Sequence, residues 1–389
     1  MSLTGVEEGR SELGRSLLKR KHMSANWLPA FAAVPRAVFL PDVMWPHDMD
    51  TGTTVAVDRC EQPELWTSYA NADVPIVTQW DDGRGEGRGK VPTSSASMPS
   101  VVFRMLAALD VEPGHRVLEI GTGTGWNAGL LAHRLGTDNV VSIEVDPKVA
   151  DTARERLAAQ GLLGTVLTRD GVEGDEAGAP YDRIIVTAGV REIPGDWLRH
   201  TREGGIILAP WGTHFGNGDA LVRLRMAEDG GRASGRFLGP VEFMKLRSQR
   251  SPFAGHAAYV PDGVGQADRS TTTVTEEQLL GDGRFAVARF AVGLRVRDCH
   301  HQGSDKRDGA RPVWFYGLTD RSWACVMFRD GHREAMVWQS GPRRLWDEVS
   351  AALDWWRAAG EPGYERFGLT ITVYDQCAWL DRPKNAWLL

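Results

Sequence analysis

Three glycines at alternate positions, Gly121, Gly123 and Gly125, separate a short apolar run, Arg116 to Ile120, from an Ala- and Leu-rich segment that begins at Trp126. The run, which carries one acid at Glu119, reads as a buried parallel strand, and the segment after the glycines reads as an amphipathic helix. Glycine lets the backbone between them turn sharply and approach a ligand with no Cβ in the way, while the helix N-terminus directs amide donors at that ligand. About twenty residues on, Val140 to Asp146 reads as a second parallel strand, with Glu144 and Val145 near its C-terminal end, where a carboxylate can bond ribose hydroxyls. Thr165 to Thr168 is a third strand that delivers Asp170 and Gly171 to the same rim, and Tyr181 to Ala188 is a fourth.

A second group of reactive side chains lies upstream. Thr93, Ser94, Ser95 and Ser97 cluster before Pro99 and a predicted helix over Val101 to Leu109. A carboxylate bound there would meet both a hydroxyl and the positive end of a helix dipole. The alternative is that Ser97 only caps the helix, with Pro99 in its first turn.

The glycine spacing is G-x-G-x-G, not the G-x-G-x-x-G of dinucleotide dehydrogenases. With the acids that follow, it resembles the class I S-adenosylmethionine-dependent methyltransferases. Gly121 to Trp126, Ile143 to Asp146, Asp170-Gly171 and Ala179 to Ile184 together are similar to the protein-L-isoaspartate O-methyltransferase family. So is Val34 to Pro41, which matches V-P-R-x-x-F-x-P, and Ser97-Met98-Pro99, which matches an S-x-P turn. Gly204 to Gly212 and Phe237 to Arg247 resemble the family's late strands, so the likeness covers about residues 30 to 250.

The resemblance implies a doubly wound, Rossmann-like α/β sheet that binds S-adenosylmethionine and releases S-adenosylhomocysteine. It assigns the methionine end of the cofactor to Glu119, Gly121, Thr122, Gly123, Thr124, Gly125 and Trp126. Glu144 and Val145 take the ribose, and Asp170 and Gly171 the adenine edge. Ser97 becomes the catalytic residue that points the substrate carboxylate, with Arg36, Thr93, Ser94, Ser95 and Pro99 around the substrate.

The chemistry then needs no general base. A carboxylate is already an anionic nucleophile toward a methyl group on a positive sulfur, so orientation carries the catalysis. The ester is a better electrophile than the acid and closes to a succinimide. The N-terminal cap, the hydroxyl-rich turn and the Trp-rich tail resemble an actinobacterial branch of the family found beside ribosomally made peptide precursors, which methylates an aspartate of a modified peptide. Repair of isoaspartyl proteins is the alternative acceptor, and a non-catalytic peptide-binding protein on the same scaffold is the alternative of another class.

Composition sets the remaining expectations. A chain of 389 residues is expected to hold two domains. The boundaries read as 1–92 for an N-terminal cap and cleft segment, 93–252 for the cofactor-binding core, 253–270 for a linker and 271–389 for a smaller α+β domain. A net charge of -6 provides no basic footprint for nucleic acid. Cys60, Cys299, Cys325 and Cys377 lie far apart, which argues against a zinc ribbon or a disulfide framework. No apolar stretch approaches transmembrane length and no signal core is seen, so a cytoplasmic monomer or homodimer without a membrane partner is expected.

Locally, a helix is expected over Leu13 to Trp27, an extended path between Pro35 and Pro41, and a mobile loop, a lid or a passive one, over Trp80 to Val91. The tail is expected to carry strands near 285–294, 312–318, 323–329 and 368–374, a helix over 342–359, and a plain loop rather than a metal site at Cys299-His300-His301.

Overall fold

All four residues of Val117–Ile120 are buried, the pattern of a strand covered on both faces. The computed structural model describes residues 3–389 apart from 50, 86, 163 and 282, with side chains from residue 8 onward. Glu86, within the stretch expected as a mobile loop, therefore lies outside the described residues. Two compact units divide the chain. One comprises Met1–Ala188, Pro194–Ala209 and Arg223–Ala233, and the other Gly189–Ile193, Pro210–Val222 and Ser234–Leu389.

The first unit opens with helices α1 (Leu3–Lys19) and α2 (Leu28–Ala33). The single helix expected over 13–27 is broken at Lys21, whose φ of +59° no helix accommodates. Strands β1 (Val43–Pro46) and β2 (Val57–Asp58), helix α3 (Pro63–Ala70), and strands β3 (Ile76–Trp80) and β4 (Pro92–Ala96) follow. They build a four-stranded antiparallel sheet in the order β2-β1-β3-β4. Leu40, Met44, Val57, Trp66, Ile76 and Ala96 form its core.

Two local expectations are corrected here. Residues 36–39 form a 3-10 turn, not an extended path, because Arg36 and Phe39 both turn inward and are buried. The hydroxyl-rich residues 92–96 form a strand, not a turn before a helix. Their pairing with Ile76 and Val77, whose side chains are buried, outweighs the local turn preference of serine.

The described residues between β3 and β4 open on a 3-10 turn, Asp81–Gly83, and fold back against it. Asp81 organises it, its carboxylate oxygens accepting hydrogen bonds from Lys90 N at 2.9 Å and Val91 N at 2.8 Å. Arg88 reaches the carbonyl of Thr54 at 3.0 Å.

Then come α4 (Pro99–Leu109), β5 (Val117–Ile120), α5 (Trp126–Leu135), β6 (Val140–Glu144), α6 (Pro147–Ala159), β7 (Thr165–Thr168), β8 (Tyr181–Val186), α7 (Gly195–His200) and β9 (Thr201–Trp211). Strands β5 to β9 pair in parallel in the order β7-β6-β5-β8-β9. The winding reverses beside β5, and in such sheets ligands bind outside the carboxyl ends of the strands at that point. Trp27, Phe31 and Trp126 meet Phe103 edge-on at 5.7 to 6.4 Å between ring centres, which fastens the N-terminal helices to α4 and α5.

Strands β10 (Asp219–Met226) and β11 (Arg232–Val241) contribute residues to both units. The second unit continues with β12 (Asp268–Thr272), α8 (Glu276–Leu280), α9 (Val287–Gly293), β13 (Cys299–Gly303), β14 (Ala310–Gly317), β15 (Trp323–Arg329), β16 (Ala335–Ser340), α10 (Leu345–Ala358) and β17 (Phe367–Thr372). The last strands are β18 (Gln376–Leu380) and β19 (Ala386–Leu388).

A five-stranded antiparallel sheet, β12-β16-β15-β14-β13, presents Val313, Phe315, Ala324, Val326 and Val337 to Leu345, Trp346, Val349 and Leu353 of α10. Residues 253–267, with little regular structure, bring Phe253, Tyr259 and Val260 onto Tyr316, Trp323 and Cys325.

Residues 287–293 are helical, not the strand expected over 285–294. Ala288, Phe290, Ala291 and Val292 are all buried, and a segment apolar on every side has no period that separates the two structures. Cys299-His300-His301 lies on β13 rather than in a loop.

Candidate active site

Between β5 and α5 the backbone enters the left-handed region at Gly121, Gly123 and Gly125, with φ of +97°, +54° and +91°. Glycine alone takes such a path readily. At Gly121 there is also no space, since a Cβ would stand 2.7 Å from Thr187 Oγ1. Helix α5 starts immediately afterwards, so its unpaired first-turn amides face the crevice above the strand ends.

Glu144 ends β6 beside this turn. Its carboxylate accepts hydrogen bonds from Gly123 N at 2.9 Å and Asp146 N at 3.1 Å. Half-buried Val145 links the two acids. Asp146 also caps α6, accepting from Lys148 N and Val149 N at 3.0 and 3.2 Å. Asp170 follows β7 and accepts from Val172 N at 3.1 Å, while the carbonyl of buried Gly171 is held by Trp197 Nε1 at 2.9 Å. The glycine turn, Glu144 and Asp170 thus occupy the carboxyl ends of three adjacent strands.

Beneath the turn runs a buried polar chain. Glu119 has no exposed surface. It accepts hydrogen bonds from Asn127 Nδ2 at 2.6 Å and Ser142 Oγ at 2.5 Å, and Ser142 Oγ is 2.6 Å from Thr122 Oγ1. Burial pushes the Glu119 carboxyl up to about 7, against the two hydrogen bonds, which favour its ionised form.

Glu119, Thr122 and Thr124 are therefore buried, and so is Trp126, whose Nε1 donates to the carbonyl of Val34 at 3.0 Å. The side chains of these four are thus turned into the protein rather than toward the surface of the rim. Asn127 and Ser142 were not singled out in the sequence. A polar residue inside the apolar run Val140-Val141-Ser142-Ile143 was the available signal.

The hydroxyl strand crosses the same turn from above. The carbonyl of Ser95 and the Oγ of Ser94 lie 3.6 and 3.9 Å from where a Cβ on Gly123 would stand. Thr78 Oγ1 donates to Ser94 Oγ at 3.3 Å. Thr93 Oγ1 donates to Gln79 Oε1 at 2.9 Å and accepts from Asp82 N at 3.1 Å.

Ser97 comes next and is half-buried. The capping alternative for it fails: the N-cap position of α4 is Met98, and Asp73 Oδ1 accepts from Ser100 N at 2.8 Å in place of a serine hydroxyl. The Ser97 hydroxyl bonds none of the described residues. Pro99 is buried in the first turn of α4.

Arg36 is 4% exposed and does not line an open surface. Its guanidinium donates to the carbonyls of Ala72 (3.2 Å), Val74 (2.9 Å), Ala96 (3.0 Å) and Ser97 (3.1 Å). Burial lowers its pKa to about 9, partly offset by Asp73. Arg36 therefore fixes the backbone on which Ser97 sits.

The Cys299-His300-His301 segment lies in the second unit. The ring of His301 stacks on Phe215 at 4.5 Å, and burial pushes it down to about 4 and the Cys299 thiol up to about 12. Among the described residues no group of three His, Cys, Asp or Glu side chains is placed to hold a metal ion. No helix among them is long and apolar enough to cross a membrane.

A sheet wound β7-β6-β5-β8-β9, with a G-x-G-x-G turn after its first strand and a carboxylate ending its second, defines a class I S-adenosylmethionine-dependent methyltransferase. The rim fits that cofactor: the backbone of Gly121 and Gly123 is half-buried rather than sealed, and Glu144 is an anchored carboxylate able to accept from ribose hydroxyls.

Residues 11–251 match the sequence model of the protein-L-isoaspartate(D-aspartate) O-methyltransferase family. The chain is 32% identical over 212 residues to a protein-L-isoaspartate O-methyltransferase of Ignicoccus hospitalis, an alignment covering 53% of this chain and 82% of that relative. It is 32% identical over 248 residues to protein-L-isoaspartate O-methyltransferase 2 of a Polaromonas species, covering 63% and 96%. A solved structure of a protein-L-isoaspartate O-methyltransferase superposes with a TM-score of 0.54 at 21% identity, covering 96% of this chain and all of that one. The chain belongs to the protein-L-isoaspartate O-methyltransferase family and is an S-adenosylmethionine-dependent methyltransferase.

Proposed function

We propose that this enzyme methylates the free carboxylate of an isoaspartyl or aspartyl residue in a polypeptide. The observation that carries the reading is the passage of β4 over Gly123, followed directly by Ser97, whose hydroxyl takes no part in ending α4. That path brings a hydroxyl-bearing strand to the lip of the cofactor turn.

Bound S-adenosylmethionine supplies a methyl group on a sulfonium, an electrophile that a carboxylate attacks without a base. The chain's own work is positional. Gly121 to Gly125 and the first amides of α5 would hold the methionine end, Glu144 the ribose hydroxyls, and Asp170 with Gly171 the adenine edge. Ser97 Oγ would donate to one carboxylate oxygen and leave the other free to accept the methyl group. Arg36 keeps Ser97 in place. Holding the reacting atoms in contact is worth several kcal/mol of barrier, as an order-of-magnitude estimate.

The acceptor supported best is isoaspartate. The relatives from Ignicoccus hospitalis and Polaromonas carry that substrate in their names. The superposition on a solved protein-L-isoaspartate O-methyltransferase covers 96% of this chain and so extends into the tail.

A second reading is favoured by the connection between β3 and β4, whose Asp81 accepts from Lys90 N and Val91 N beside the hydroxyl strand. It makes the acceptor an aspartyl side chain in a ribosomally made, modified peptide, as in the actinobacterial branch. In either case the next residue's amide nitrogen attacks the ester carbonyl, methanol leaves, and a succinimide forms.

Incubation with methyl-labelled S-adenosylmethionine and matched isoaspartyl, aspartyl and precursor peptides tests both. Base-labile label on the isoaspartyl peptide is the expected result, reduced about 100-fold in kcat by Ser97→Ala with S-adenosylhomocysteine affinity unchanged. Label confined to a precursor peptide selects the second reading. Cofactor binding with no ester on any peptide overturns both.

A further inference from the structure

Strands β3 and β4 pair regularly at Ile76↔Ala96 and Val77↔Ser95, and then the register shifts twice within three residues. Thr78 is the extra residue on one strand and Thr93 on the other, with Gln79 paired to Ser94 between them. Bulges of this kind re-aim side chains and recur beside active sites. Here they send the Gln79 amide out of the sheet toward the cofactor rim. Gln79 Nε2 donates to Asp146 Oδ2 at 3.1 Å, and Gln79 Oε1 accepts from Thr93 Oγ1 at 2.9 Å. The amide orientation is fixed chemically, because turning it would set a carbonyl against a carboxylate.

These bonds belong to a longer path. Asp82 N donates to Thr93 Oγ1, Thr93 to Gln79, Gln79 to Asp146, Asp146 N to Glu144, and Gly123 N to Glu144. One hydrogen-bonded line therefore runs from the inserted hairpin, through the hydroxyl strand, to the ribose acid and the middle glycine.

We propose that Gln79 is a positioning residue that registers the acceptor-binding strand against the cofactor, so that cofactor binding and ordering of residues 76–80 and 92–96 are thermodynamically linked. The inference rests on the methyl-transfer reading for the identity of the cofactor, and adds which side chain joins the two halves of the site. Linkage of this kind is reciprocal: whatever order the cofactor imposes on the hairpin, a seated peptide returns as cofactor affinity.

Amide hydrogen exchange of the full-length enzyme, with and without S-adenosylhomocysteine, tests it. In the unaltered protein the ligand is expected to slow exchange at 76–80 and 92–96 about fivefold, along with the glycine turn. Gln79→Ala is expected to abolish the slowing at the hairpin while keeping it at 117–135, and to lower kcat about tenfold with peptide KM within about twofold. Gln79→Glu, which sets a second carboxylate against Asp146, does the same. Thr93→Val, isosteric and lacking the hydroxyl, gives an intermediate loss and decides the question should the Gln79 variants misfold.

Hairpin protection in Gln79→Ala or Thr93→Val equal to that of the unaltered enzyme overturns the proposal. So does an unaltered enzyme that binds the ligand and methylates peptide while its hairpin exchange stays unchanged, an outcome that leaves methyl transfer standing. Full hairpin protection without any ester formed supports the linkage and removes carboxyl transfer instead.

Discussion

The Nη2 of Arg36 donates to the carbonyl of Ser97 at 3.1 Å from a side chain that is 4% exposed, and the same nitrogen reaches Ala96 and Val74. A residue near the start of the chain thereby sets the backbone of the proposed catalytic serine, 61 positions later. Arg36→Ala removes donors from buried carbonyls at about 1–3 kcal/mol each, so a loss of at least about 3 kcal/mol is expected in urea unfolding of the ligand-free enzyme. Arg36→Lys, which supplies charge without the planar fork, is expected to retain cofactor affinity and lower kcat.

Glu119 predicts a pH dependence. Its folded-state carboxyl lies at about 7 against an ordinary 4.5, chiefly because it is buried. The folded chain therefore keeps a proton that the unfolded chain releases. The associated stability is complete below about 4.5 and is lost as pH rises through about 7. Glu119→Gln removes this titration, so the variant should gain on the unaltered enzyme between pH 5 and pH 8, by up to roughly 3 kcal/mol. Denaturant midpoints at the two pH values measure it, and parallel curves for the two proteins would refute it.

Gly121→Ala tests the turn. The substitution forces a Cβ onto φ +97° and to 2.7 Å from Thr187 Oγ1. Strain of about 1–3 kcal/mol is expected, with a fall in S-adenosylhomocysteine affinity of about tenfold or more by calorimetry. Unchanged affinity would mean that the cofactor does not approach this stretch of backbone.

Leu353→Ala tests the core of the second unit. Leu353 is fully buried among Val313, Phe315 and Trp346 and their neighbours, and such truncations cost about 2–5 kcal/mol. The loss is expected in an unfolding transition followed through tryptophan fluorescence.

The chain's own order of residues determined what depends on local geometry. A G-x-G-x-G turn between an apolar run and a helical pattern can take few paths, so the strand, turn and helix around Gly121 to Gly125 were legible directly. So were Glu144 and Asp170, placed at the ends of two predicted strands that follow the turn, and α10, whose apolar stripe has a clear helical period.

Tertiary structure decided what depends on partners distant in sequence. Residues 287–293 are a helix that the sequence could not name, because a segment buried on all sides carries no period that marks one. Arg36 turned inward to carbonyls some 36 to 61 residues away, and Ser97 is free of capping α4, where Met98 holds the N-cap position and Asp73 accepts from Ser100 N. Gln79 met Asp146 through a double bulge that only the pairing of two strands creates. Hydrogen-bond partners and strand register are properties of the folded chain, since a side chain's role is set by which polar groups folding brings within 3 Å of it.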